Sequence, residues 1–480
     1  MRQLFLFPIW LVLTQATALA QPTSSAPATQ APSAVPSSDS ILTLPESIRI
    51  AMANYAAIKA RQDIVSASAL EVRAAKQDGL PDLILGTQTA YGTLNGMNGL
   101  SSGEPGLTAL TAGPATGAQN WNAAFGALYL TNINWNLYSF GLQRAHVAAA
   151  TGQYHQDQDA LRQEQFQQQV KVAGAYLSLL AAQRVRMAME DNLLRAIQLR
   201  DVILSRTQNG LNAGVDSSIA NAEVSKARLS LIDAQNFEQG QANQLSINMG
   251  ITPRPFLLDT ASSLNLPKGL PDGTPADLPA NPTLQFLASR IRTSDLFSTY
   301  IKKTGLPRIS LFAVGQDRGS GFGLNYATNT SDYSTGFFPG IQPYRANYLV
   351  GIGITWNITD FSRSRSRAAA QHERSNAFTN DYLLEQNQLI NQLALSDQQI
   401  RNALAKYQET PVQLKAAVDA YTQKKALYEN GLTTIVDVSQ TLFLLNQAEI
   451  DRDIASNGVW QAVLFKAGTT GDLTPFLQQF

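Results

Sequence analysis

From Ala115 to Thr252 the chain carries no proline, from Arg345 to Thr410 there is none again, and glycine is sparse between about 141 and 209. An uninterrupted helix of about 67 residues there would run about 100 Å at 1.5 Å per residue. No compact domain accommodates such a helix. In the second half, positions 400, 404, 407, 411, 414, 418, 421, 425 and 428 alternate spacings of four and three. They hold Ile, Leu, Tyr, Pro, Leu, Val, Tyr, Lys and Tyr, a coiled-coil seam broken only at Lys425 and marked by Pro411. Proline lacks an amide donor and clashes with the preceding turn, so Pro411 is expected to bend or interrupt that helix.

Internal repetition organises the rest. Gly79-Leu80-Pro81-Asp82-Leu83-Ile84-Leu85 recurs as Gly305-Leu306-Pro307-Arg308-Ile309-Ser310-Leu311, an offset of 226. Trp135-Asn136-Leu137 with Phe140 recurs as Trp356-Asn357-Ile358 with Phe361, an offset of 221. Asn209-Gly210-Leu211-Asn212-Ala213-Gly214-Val215 finds its partner around Glu429-Asn430-Gly431-Leu432, with 217 separating Gly214 from Gly431. Each unit of about 220 residues reads helix, strand, loop, strand, long helix, turn, helix. The first helix opens at Thr43-Leu44-Pro45-Glu46, a capping box with proline in the first turn, and stops near Gly79.

The expected organisation begins with a secretory signal at 1–20, built from Arg2, the apolar run Leu4 to Leu13 and Ala18-Leu19-Ala20. A Ser/Pro/Ala leader covers 21–40 and is too poor in large apolar residues to fold. Repeat 1 spans 41–250, with strands 82–94 and 121–138, long helix 141–209 and return helix 216–249. A linker follows at 251–282. Repeat 2 spans 283–466, with strands 307–317 and 346–359, long helix 362–429 and return helix 434–466, before a tail at 467–480. No apolar run reaches the 18 or so residues of a membrane-spanning helix.

The strands alternate with a period of two. Trp121, Ala123, Phe125, Ala127, Tyr129, Thr131, Ile133, Trp135 and Leu137 interleave with Asn122, Gly126, Asn132, Asn134 and Asn136. Tyr348, Val350, Ile352, Ile354, Trp356 and Ile358 interleave with Asn347, Gly351, Gly353, Thr355 and Asn357. Apolar outside, small or polar inside, and aromatic near the ends is the pattern of a lipid-facing strand, with Trp121, Trp135, Tyr348 and Trp356 as interface aromatics. A soluble sandwich with one wet face shows the same alternation, but here the strands are few and separated by very long helices. Four strands close no barrel, and open edges in hydrocarbon leave amides unpaired, so other chains must complete the sheet. Three chains would supply twelve strands.

These residues, in this order, resemble the TolC-like outer membrane efflux protein family. The likeness rests on Leu42-Thr43-Leu44-Pro45-Glu46-Ser47-Ile48 with Ala51 and Asn54, on both Gly-Leu-Pro motifs, and on Ala213-Gly214-Val215. Trp356-Asn357-Ile358-Thr359-Asp360-Phe361 and Gly431-Leu432-Thr433-Thr434-Ile435-Val436-Asp437-Val438 carry it in the second half, so that it spans about 41–465. The resemblance implies a mixed α/β membrane protein: a trimeric twelve-stranded outer-membrane barrel, four strands per chain, continued by a long coiled-coil tunnel in the periplasm. The linker and the tail would help build a mixed equatorial region. It further implies helix-hairpin tips at Ala213, Gly214, Val215, Asn430, Gly431 and Leu432, where a periplasmic adaptor protein docks, and an inner-membrane pump as energy source. Asp437 matches an acidic position at the pore constriction. The neighbouring acidic position is Gln440 here, Ala220 is read as the first-half counterpart of Asp437, and Thr433 replaces an Arg found in some members, all of which weakens a charged gate.

The function implied is a passive exit duct for small toxic compounds or drugs. Polypeptide secretion through the same scaffold, or a non-conducting, barrel-anchored coiled-coil binding protein, are the alternatives. Composition agrees with a duct. Basic and acidic residues balance at 36 each, only 15% of the chain is charged, and 41 glutamines outnumber the acids. Zero net charge argues against a nucleic-acid partner, and zero cysteine excludes disulfides, thiolate metal sites and a lipidated N-terminal cysteine. His146 and His372 hold similar places in the two repeats but read as solvated helix residues, as does His155. Arg363, Arg365 and Arg367 follow the last strand, where they suit either lipid phosphates or solvent. Asp157, Asp159 and Glu164 lack acid–base partners, and no phosphate loop, nucleophile elbow or zinc spacing occurs, so no enzyme and no cofactor is expected.

Overall fold

The structure is a computed structural model that describes residues 41–96, 115–210, 213–259, 266–267 and 278–479. The expected signal, the leader, most of the first loop and much of the linker lie outside these residues. Repeat 1 holds α1 (Leu44–Asn54), α2 (Ala56–Gln77), β1 (Asp82–Thr93), β2 (Ala123–Tyr138), α3 (Leu142–Gln208) and α4 (Gly214–Met249). Repeat 2 holds α5 (Pro282–Thr304), β3 (Arg308–Ser320), α6 (Phe337–Ile341), β4 (Arg345–Thr355), α7 (Ile358–Glu429) and α8 (Ile435–Thr470), with α9 (Thr474–Leu477) in the tail. At 67 and 72 residues, α3 and α7 span about 100 and 110 Å. Among the described residues no helix is long and apolar enough to cross a membrane.

Thr43 caps α1 by accepting from the Glu46 amide, and Glu46 turns instead to Arg49. The single first helix expected from sequence is two, because the chain leaves helical geometry at Tyr55 (φ −67°, ψ 118°). Strand β4 also ends earlier than expected, at Thr355. Asn357 there caps α7 through the Asp360 amide, so Ile358 and Thr359 are helical. In repeat 1 the equivalent Asn136 instead accepts from the Ser310 hydroxyl at 2.8 Å, and β2 runs on past a bulge at Asn136/Tyr138.

The four strands form one antiparallel sheet in the order β1-β2-β3-β4. Register sorts the side chains cleanly. Leu83, Ile133, Ala313 and Val350 face one another across the sheet, as do Trp135, Leu311 and Ile352. The opposite face carries Asp82, Asn134, Phe312 and Gly351 in one row and Gln88, Leu128, Arg318 and Arg345 in another. One face is therefore apolar and the other is rich in amides, glycine and charge. β1 and β4 remain as edges.

The sheet is tied to the helices by the repeat itself. The Trp135 indole donates to Gly79 O at 3.0 Å, and the Trp356 indole to Gly305 O at 3.1 Å. The main hydrophobic core lies at mid-height. It joins Leu44, Ile48 and Ile50 of α1, Val172 to Leu180 of α3, Leu245 and Met249 of α4, Ile400 of α7 and Trp460 and Val463 of α8. Phe256, Leu258 and Phe476 complete it from the linker and tail. Tyr176 donates from inside this core to Leu42 O, and burial pushes its phenol up.

Pro411 does not interrupt α7. Its missing amide would orphan Tyr407 O, the acceptor four residues back, and the Thr410 hydroxyl donates to that carbonyl at 2.9 Å. The buried seam accordingly passes through Thr410 and Ala417, while Pro411 and Val418 are exposed. The spacing expected from sequence slips by one at those positions. Restoring the amide by Pro411→Ala is expected to stabilise the protein by about 1–3 kcal/mol, and Thr410→Val to destabilise it by about 1 kcal/mol. Thermal melts followed by circular dichroism should also show the Thr410→Val effect shrinking in the Pro411→Ala background.

Candidate functional site: the lower hairpin tips

Helices α3/α4 and α7/α8 each reverse at their lower end, and both turns use the same chemistry. Asn430 returns its side-chain amide to Ala426 O at 2.8 Å, and Asn209 returns its own to Ser205 O at 2.8 Å. The next residue has positive φ in each case, Gly431 at 75° and Gly210 at 75°. In the second tip the Leu432 amide donates to Leu427 O and the Gly431 amide to Tyr428 O, a Schellman motif that satisfies the last carbonyls of α7. Only glycine takes that left-handed conformation without strain.

This geometry corrects the alignment of the repeats. Gly210, and not Gly214, is the counterpart of Gly431, at the offset of 221 already set by Trp135 and Trp356. Gly214 instead opens α4 behind Ala213 at the N-cap, just as Ile435 opens α8 behind Thr434. Gly250 and Gly471, both left-handed, end these two helices at the same offset. The counterpart of Asp437 is therefore Asp216, each in the first turn of its helix. Ala220, expected at the constriction, is buried with Ile203, Val224, Tyr428 and Val438 in a core shared by all four helices. Its methyl belongs to the buried side of α4, with Val224 and Ala227. The signal that sequence reading passed over was the shared Asn-Gly-Leu.

Asp437 is half-exposed and engaged within its own chain. The Thr433 hydroxyl donates to its carboxylate, Lys424 of α7 lies 3.6 Å from Oδ2, and its amide meets Thr434 Oγ1 at 3.4 Å. The Thr433 hydrogen bond, then the Lys424 charge, holds the carboxyl below the usual aspartate range. Gln440, Asn430 and Leu432 of the same hairpin are exposed, as is Val215 at the start of α4. Arg206, near the end of α3, donates to Glu429 O at the end of α7 at 2.5 Å and lies over the Tyr428 ring. A cation on the carbonyl end of a helix is favourable, so Arg206 fastens one hairpin to the other. Higher up, Arg195 and Glu449 form a bidentate pair between α3 and α8 at 2.5–3.0 Å. Lys424, Arg206 and Arg195 carry no sequence motif, since their partners come from distant segments.

The remaining candidates separate in space. Trp121 is 82% exposed just before β2 and Tyr348 88% exposed on β4, at the loop end of the sheet, whereas Trp135 and Trp356 sit at the helix end. His146 lies 3.6 Å from Asp78 and stacks on Tyr300, while His372 lies 3.7 Å from Asp295, so each has a different partner. Among the described residues no group of three or more His, Asp or Glu could hold a metal. Arg363 pairs with Asp360 at 3.4 Å, and Arg365 lies over the Phe361 ring.

With the geometry in hand, residues 321–458 match the family model described as outer membrane efflux protein. Compared by sequence with curated proteins, the chain matches none. Among solved structures it is similar to CusC (TM-score 0.72, 14% identity, 89% of this chain and 92% of that one). It is also similar to the outer membrane protein VceC of Vibrio cholerae (0.67, 16%, 89% and 96%) and the outer membrane channel CmeC of Campylobacter jejuni (0.70, 12%, 89% and 85%). The chain accordingly shares the fold of these outer membrane proteins, and residues 321–458 of its second repeat are similar to the outer membrane efflux protein family.

Because the folded-state pKa of Asp437 is depressed, its bond to Lys424 and Thr433 is fully present above the ordinary aspartate pKa and is lost as pH falls through the lowered value. Asp437→Asn is expected to speed amide exchange across 430–440 at neutral pH. Exchange there should then no longer respond to acidification, as read by hydrogen–deuterium exchange of the whole protein.

Proposed function

We propose that three copies of this chain form a passive exit duct, in which β4 of one copy pairs with β1 of the next to close a twelve-stranded barrel above a helical tunnel. The observation that carries this reading is the pair of open strand edges on a sheet with one continuous apolar face. In hydrocarbon each unpaired backbone group costs several kcal/mol, and closure by identical neighbours removes every edge at once. The exposed apolar residues of the long helices, Leu229 and Phe237 on α4 and Leu384, Ile390 and Val412 on α7, then become seams between copies.

The energy for export comes from an inner-membrane pump, and a periplasmic adaptor joins pump to duct at the tips. The exposed tip residues Val215, Asn430, Gly431 and Leu432 supply the docking surface. Opening separates the tip hairpins, with the Arg206 bond to Glu429 O resisting it, while Lys424 and Asp437 brace the second hairpin internally. The substrates are small toxic compounds or drugs, and the duct itself performs no chemistry on them.

Light scattering in mild detergent is expected to give a mass of three chains, and planar bilayers holding the purified protein are expected to conduct ions. A stable monomer would overturn the closure argument. Deleting the gene should sensitise the cell to toxic compounds. Loss of a secreted protein, with unchanged sensitivity, would instead assign the duct to polypeptide export.

A further inference from the structure

The polar face of the sheet is not evenly charged. Its rows, read from the helix end toward the loops, are Asn136-Ser310-Gly353, then Asp82-Asn134-Phe312-Gly351, Ile84-Asn132-Val314-Leu349, Gly86-Leu130-Gln316-Asn347, and Gln88-Leu128-Arg318-Arg345, the last to span all four strands before Ala90-Gly126-Ser320. That last four-stranded row brings Arg318 and Arg345 directly opposite each other on neighbouring strands. Like charges in that position work against strand pairing. Both side chains are exposed, and among the described residues neither guanidinium has a carboxylate within ion-pair reach. Arg345 lies instead over the Tyr344 ring at 5.3 Å. Asp317, adjacent in sequence, faces the other side of the sheet beside Tyr129. Among the strand residues of this face the one acid is Asp82, three rows away and about 20 Å along the strand, beyond the roughly 8 Å over which charges act in physiological salt.

The space in front of this row is a cavity of about 590 Å³, lined by Gln88, Gln316, Arg318, Tyr344, Arg345 and Asn347 among others. Guanidinium, amide and phenol groups converge there, and among the described residues that line it there is no acid. Two positive charges placed at a cost to the sheet, in a cavity whose wall also carries Leu94, Phe125, Leu128 and Phe322, describe an anion-attracting surface with low-dielectric surroundings.

We propose that Arg318 and Arg345 form an anion-binding collar at the outer mouth of the lumen, which takes multivalent phosphorylated or carboxylated solutes. The inference rests on the duct reading, since only closure by three copies turns one pair into six arginines around a single opening. Anionic solutes leaving the tunnel are drawn to the exit, cations are disfavoured there, and a polyanion added from outside lodges in the mouth and blocks the current.

The test uses the full-length protein in planar bilayers, with inositol hexakisphosphate added from either side. Block from the barrel side is expected. Arg318→Gln with Arg345→Gln should raise the half-blocking concentration about ten-fold or more, while Arg318→Lys with Arg345→Lys keeps most of the block. In a potassium chloride gradient the double glutamine variant should shift the reversal potential toward cation preference. Equal block in wild type and glutamine variant, or block from the tunnel side alone, overturns the collar. A protein that never conducts counts against the duct instead, and calorimetry of the solubilised protein with the same probe then decides the collar. Heat of binding that disappears in the glutamine variant supports it, at about one probe per three chains if the six arginines share one mouth. Unchanged heat overturns it.

Discussion

Unpaired amides and carbonyls along β1 and β4 are the constraint to which the rest of the molecule answers. A sheet with an apolar face placed in lipid has no water to satisfy its edges, so it must continue into another chain. Closure fixes the circumference, and the circumference sets how far apart the helices below must stand. The two indole bonds, Trp135 to Gly79 and Trp356 to Gly305, transmit that spacing from strands to helices at equivalent points of both repeats. The four-helix core around Ile203, Val224, Tyr428 and Val438 then holds the two hairpins of one chain side by side far from the membrane.

The abundance of glutamine gains a structural meaning beside the solvation of a two-sided wall. Gln143 donates to Ala75 O at 2.6 Å, Gln168 to Asn248 O at 2.5 Å, and Gln183 to Phe256 O at 2.8 Å. Each bond joins α3 to a different segment. A neutral amide makes such links without the desolvation cost of a buried charge. Lys466 is the counterexample, a nearly buried lysine on α8 held by Asp397 of α7 at 2.7 Å. Sparse charge thus serves the packing of long helices one layer thick.

Duplication gives the two hairpins the same turns but different fastenings. Both use an Asn-Gly cap and both place an aspartate in the first turn of the return helix. Only the second repeat offers a threonine immediately before the capping residue, where Thr433 can bond Asp437. The second hairpin is therefore braced at its turn by a bond that the first lacks. The same divergence marks the strand-to-helix junctions, where Asn357 caps a helix and Asn136 binds a strand neighbour.

Period and punctuation in the sequence determined the strands, the long helices, the duplication and the two faces of the sheet. Hydrophobic alternation and the absence of proline act over a few residues and need no knowledge of distant segments. Tertiary structure decided where each side chain spends its hydrogen bonds. Thr410 rescues the carbonyl that Pro411 orphans, which let α7 run through a residue that reads as a break. The offset of 217 placed Ala220 opposite Asp437, whereas the turn geometry of Gly210 and Gly431 puts Asp216 there and buries Ala220. Lys424, Arg206 and the facing pair Arg318 and Arg345 were invisible as sites because their roles come from pairing across strands and helices. An isolated lysine or arginine in a sequence is only a charge, and the partner that turns it into a latch or a collar is supplied by the fold.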